Sequence, residues 1–133
     1  MKKLFFLLSC CFCFFGVTIS QVIPKGMNYQ AVARDAKGGL LKDENIMLQI
    51  TLFSNEGGQR VDYYTESHSA KTSEIGLFNL VVGEGIKDFG QYALIPWNTE
   101  NIWMQVALKD KKTSGLTMVS NSKLLAVPYA IYA

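Results

Sequence analysis

The sequence predicts an all-β domain, an immunoglobulin-like two-sheet β-sandwich of about seven strands, preceded by a signal peptide. Apolar residues alternate at period two in several separate segments, the pattern of strands with one face buried. Short runs of Gly, Asn, Asp and Ser separate those segments at fairly regular spacing, as turns do. No segment combines a three- or four-residue apolar period with helix caps. Short strands at such spacing are the signature of two stacked sheets about 10 Å apart.

Lys2 and Lys3 open a three-part leader, followed by an apolar and cysteine run over residues 4–15. Thr18 and Ser20 supply small residues at the minus-three and minus-one positions for cleavage before Gln21. Two other fates stay open. The apolar stretch 4–19 falls just short of the roughly 17–25 residues that span a bilayer, which allows retention as an anchor. Leu7-Leu8-Ser9-Cys10 loosely resembles a lipoprotein cleavage box, which would make Cys10 a lipidated first residue. Cleavage after Ser20 divides the chain into a signal peptide, 1–20, and a β-sandwich domain, 21–133. It predicts export through the Sec pathway to a secreted or cell-surface location. All three cysteines lie in the leader, so the remaining domain has no disulfide and relies on its core.

Residues 27–34 form the first strand, ended by Asp35-Ala36-Lys37-Gly38-Gly39. Ile46, Leu48, Ile50 and Leu52 then alternate with Met47, Gln49, Thr51 and Phe53. The turn Ser54-Asn55-Glu56-Gly57-Gly58 leads into a strand over 60–68, giving a hairpin. Val61, Tyr63 and Thr65 share one face of that strand; Asp62, Tyr64, Glu66 and His68 share the other, which reads as polar. The run 77–82 is a buried strand closed by Gly83-Glu84-Gly85, and 89–94 holds at most one helical turn. Trp97 plugs one end of the core ahead of a strand over 102–109, where Ile102, Met104, Val106 and Leu108 alternate with Trp103, Gln105, Ala107 and Lys109. Two extended pieces, 116–119 and 123–127, finish the domain before Pro128.

The leader lysines account for the net charge of +2, leaving 11 of the 13 basic residues against 11 acidic ones. A balanced domain without a basic stripe lacks the electrostatic footprint of nucleic-acid binding. His68 is the single histidine, and no glycine-flanked serine nucleophile accompanies it. No catalytic, cofactor-binding or metal-ligating residue is assigned, and no cofactor is expected. Asp35, Asp43 and Glu44 flank the first loop without the spacing of a calcium loop. The aromatics are the best argument for a small ligand. Tyr63 and Tyr64 are strand neighbours and point to opposite faces, so one meets water, and Tyr64 and Trp103 are the candidate ligand platforms.

The opening motif 26–35 (GMNYQAVARD), the middle motif 76–83 (GLFNLVVG), the Trp97 segment and the closing motif 124–133 (LLAVPYAIYA) together cover the domain. This combination resembles the N-terminal module of secreted Bacteroidota surface proteins of the tail-fibre-like and collagen-like kind. The resemblance implies an extracellular module that leads into a stalk or fibre tip, and it supplies no residue of known task. The expected function is therefore a non-catalytic structural or interaction module, the head domain of a surface or fibre-like assembly, contacting a protein partner or itself. Leu124, Leu125, Val127, Pro128, Tyr129, Ile131 and Tyr132 form the candidate partner-strand segment, apolar and uncharged. The alternative is a small carbohydrate-binding module working through exposed aromatics, with glycans as partners. The membrane is contacted only through the leader.

Overall fold

The computed structural model describes residues 26–98, 101–110 and 115–125, which form seven strands in two antiparallel sheets. The strands are β1 (Met27–Val32), β2 (Asn45–Glu56), β3 (Gln59–Lys71), β4 (Leu77–Val82), β5 (Ile86–Gly90), β6 (Ile102–Lys109) and β7 (Leu116–Lys123). The all-β, two-sheet class is the one the alternation predicts. Its division is unequal: a large sheet in the order β5-β3-β2-β6-β7 and a small sheet of β1 and β4 alone. No helix among the described residues is long and apolar enough to cross a membrane.

The β2–β3 hairpin is the backbone of the large sheet, and its loop is set by sequence. Glu56 pairs with Gln59 across Gly57 and Gly58, whose φ values of 58° and 79° suit a two-residue turn that matches strand twist. Leu48, Ile50 and Leu52 of β2 face inward with Ile102, Met104 and Val106 of β6. Phe78, Leu80 and Val82 of β4 close over them, with half-buried Met27, Tyr29 and Ala31 of β1 alongside. Each such aliphatic side chain contributes about 1.5–3 kcal/mol by leaving water. Tyr29 spans the sandwich: its ring lies 6.1 Å from that of Phe78, and its hydroxyl meets Ser120 Oγ of β7 at 2.9 Å.

Three elements differ from expectation. β5 was not foreseen, because four of its five residues are exposed and no inward alternation marks it. β7 runs unbroken through Ser120-Asn121-Ser122, where the sequence suggested a gap between two extended pieces, and it ends at Lys123. The third is a bulge. Register shifts between Leu52 and Phe53 opposite Tyr64 and Asp62, so Tyr63 is the extra residue. Tyr63 and Tyr64 consequently both pack against the core, and strict alternation fails there. The single turn foreseen within 89–94 is a 3₁₀ turn at Tyr92–Leu94. Trp97 packs on the core as expected, its ring 5.4 Å from that of Tyr92.

Candidate functional site

Tyr64, Glu66 and His68 stand at alternate positions of β3 and therefore share its inward face. The reading of this face as polar and solvated is corrected: Glu66 is fully buried, and the His68 side chain is 10% exposed. Glu66 Oε1 accepts from His68 Nε2 at 2.7 Å and from the Gly83 amide at 2.8 Å. Glu66 Oε2 accepts from the Tyr64 hydroxyl at 2.7 Å and from the Gly85 amide at 3.2 Å. Four donors thus meet the four lone-pair positions of one carboxylate, the condition under which a buried acid is tolerated. Burial first, then the hydrogen bond to Glu66 and its charge, push the Tyr64 phenol far above its usual value. Burial and then the Glu66 charge push Tyr92 the same way. Both tyrosines remain protonated at neutral pH, and Tyr64 keeps its proton as a donor to Glu66.

The location of this node explains its presence. Residues 83–85 form the corner at which the chain leaves the small sheet (β4) and enters the large one (β5). Glu66 gathers the corner's amides from the middle of β3 and fixes one sheet against the other. Gly85 is required for the approach, since a Cβ there would lie 2.6 Å from His68 Nε2 and 2.7 Å from the Ser67 carbonyl oxygen. Two surface hollows lie elsewhere, one along Asn28, Gln30, Asn79 and Val81 of the small sheet, the other along Asn45, Met47, Ser69 and Lys71. Glu66 and His68 line neither. The geometry is that of a structural pin. Among the described residues no three His, Cys, Asp or Glu side chains are grouped to hold a metal ion.

Tyr64 is corrected as a ligand platform: at 3% exposure its ring is core, edge-on to Tyr92 at 5.5 Å. Trp103 is half-exposed on the outer face of the large sheet. It stacks beside Phe53 with ring centres 6.3 Å apart, and its Nε1 donates to Asn101 Oδ1 at 3.1 Å. The Arg60 guanidinium lies 3.9 Å over the Phe53 ring, donates to Asp62 at 2.6 Å and reaches Gln105 Oε1 at 2.6 Å. This cover leaves Phe53 only 2% exposed although it points away from the core.

The register resolves that outer face into cross-strand rows. One runs Asn121–Gln105–Thr51–Thr65–Phe89 from β7 to β5. The next runs Met118–Ala107–Gln49–Ser67–Ile86. Neither row contains a charged residue. The rows on either side carry Lys109 and Lys123, and Lys71 stands one row farther out, opposite Asn45. Asp88 stands at the β5 rim and accepts from the Ser67 hydroxyl. The sequence signal lies in Gln49, Thr51, Thr65, Ser67 and Gln105, outward amides and hydroxyls at the middle of three strands where a solvated face normally carries charges.

The sheet rims differ in how they are guarded. β5 carries Lys87 and Asp88 beside a bulge, and β7 carries a bulge at Val119 and Lys123 at its end, the usual devices against stray pairing. β1 (MNYQAV) and β4 (LFNLVV) contain no charge, no proline and no bulge, and among the described residues they pair only with each other. Of the expected partner-strand segment, Leu124 is half-buried and its amide donates to the Ile102 carbonyl at 2.8 Å. Leu125 is 79% exposed. Val127, Pro128, Tyr129, Ile131 and Tyr132 lie outside the described residues, as does the leader.

One family model, described as a domain of unknown function (DUF8740), matches residues 28–121, from within β1 to within β7. No curated protein and no solved structure matches the chain.

Proposed function

From the premise that the chain belongs to the DUF8740 family, we propose that it is an exported, non-catalytic interaction module that associates with protein by strand addition. The unguarded edges of the small sheet carry this reading. Each strand has one edge, about 20 Å long, outside the pairing between them, with nothing in the sequence to repel an incoming strand. On β4 Leu77 already bonds Ser73 and the Val81 carbonyl accepts from the Glu84 amide, which leaves β1 the more open edge of the small sheet. Its outward residues Asn28, Gln30 and Asn79 are neutral, so a neighbouring strand meets no like charge. The apolar, uncharged segment 124–133 of a second copy is the occupant of choice. A head domain that joins copies in this way fits a surface or fibre-like assembly, and the leader read from residues 1–20 supports a secreted or cell-surface location.

Sedimentation velocity on the full chain tests this. Oligomers are expected at micromolar concentration, with loss of association when Asn28 and Gln30 are both changed to lysine or when residues 126–133 are removed. A monomer at every concentration, or oligomers indifferent to both changes, would refute the proposal.

A further inference from the structure

The outer face of the large sheet carries an inference independent of the small-sheet rims. A protein-docking patch normally has an apolar centre and a polar rim. This face has the reverse arrangement. Its two uncharged rows place half-exposed Gln49, Thr65, Ser67 and Gln105 in the middle, around a buried Thr51. Large apolar side chains stand at the perimeter: Phe89 and Ile86 on β5 are 56% and 76% exposed, and Met118 on β7 is 57% exposed. Trp103 adds an aromatic ring beside the rows. The surface extends across four strand spacings, about 19 Å.

Amide and hydroxyl groups each donate and accept, so they pair with a ligand that presents hydroxyls of both kinds. Aromatic and thioether side chains accept flat C–H faces. A neutral sugar chain combines ring faces of C–H groups with edges of hydroxyls. It carries no charge that the uncharged centre would leave unpaired. Arg60 is held by Asp62 and Gln105 and so is not a free cation for an acidic ligand. Asp88 at the rim offers a carboxylate to hydroxyl donors, which disfavours a polyanion.

We propose that this face binds neutral polysaccharide, the chain lying across the strands from Phe89 towards Trp103 and Met118. The sugar hydroxyls meet Gln49, Thr65 and Gln105, which are half-exposed, and the ring faces rest on the flanking apolar side chains. The surface is open, so it grips the interior of a long chain as readily as its end.

Native-gel affinity electrophoresis of the full chain tests the proposal, with xylan, mixed-linkage β-glucan, galactomannan and pullulan as neutral probes and alginate as the anionic one. Retardation by at least one neutral polymer, and none by alginate, is expected. Phe89→Ala, at an exposed rim position, and Gln49→Ala, at a half-exposed central one, should each weaken that retardation by roughly tenfold, equivalent to about 1.4 kcal/mol. Circular dichroism of both variants verifies the fold. No retardation by any neutral probe would overturn the proposal, as would retardation that both variants retain. Self-association abolished by these two changes would mark the face as a protein interface and overturn it equally.

Discussion

Replacing Glu66 by alanine removes the acceptor on which four donors converge, and the structure permits an estimate of the cost. A buried donor left without a partner costs about 1–3 kcal/mol. The Tyr64 hydroxyl, in a side chain only 3% exposed, bears this in full. His68 is 10% exposed and Gly83 and Gly85 are half-buried, so water recovers part of their loss. The cavity left by the carboxylate adds to the total, and about 3–5 kcal/mol is expected, the range seen when a buried charged network loses a member. For a domain with a total stability of about 5–15 kcal/mol this is a large share. It lowers the thermal midpoint by about 12 °C or more. Urea denaturation followed by tryptophan fluorescence measures it, with Tyr64→Phe and the double variant completing a cycle. Glu66 and Tyr64 should couple by about 1 kcal/mol or more. A loss below about 1 kcal/mol for Glu66→Ala would refute the assignment of this node as the pin between sheets.

Two further outcomes follow from the same corner. Tyr64 and Tyr92 are raised by burial and by Glu66, so the unfolded chain gives up its phenolic protons first as pH rises. The stability they contribute is complete below the unfolded value near 10 and declines above it, by about 1.4 kcal/mol per pH unit for each tyrosine. Denaturation midpoints between pH 8 and 11 should be flat and then fall, and a midpoint rising above pH 10 would contradict the geometry. Gly85→Ala forces a methyl against His68 and the Ser67 carbonyl and should cost about 1–3 kcal/mol, measured by thermal melting.

How much of this was legible in the sequence differs by element. The β2–β3 hairpin declared itself, because Ile46 to Phe53 alternates cleanly and Gly57-Gly58 fits the turn. β5 was hidden because an edge strand with both faces open needs no apolar pattern. β7 looked broken because its Ser120 is satisfied by the Tyr29 hydroxyl, a contact across 91 residues of chain. Glu66 was misread because a carboxylate on a strand is normally wet. Its burial depends on two amides from a corner that lies 17 and 19 residues later. The signal was local nonetheless: Tyr64, Glu66 and His68 alternate on one face as donor, acceptor and donor, able to satisfy one another. Trp103 lies half-exposed on the outer face, whereas Tyr64, which strand alternation offers to a ligand, is buried because a bulge turns both neighbouring tyrosines towards the core.

The claim that the small sheet is an open acceptor rim is tested most directly by amide hydrogen exchange on the full chain across a range of protein concentrations. The account predicts that amides on the free edge of β1 or β4 become protected as concentration rises, while β2 and β6, already paired on both sides, exchange at a constant rate. Exchange at β1 and β4 that is the same at every concentration would contradict it.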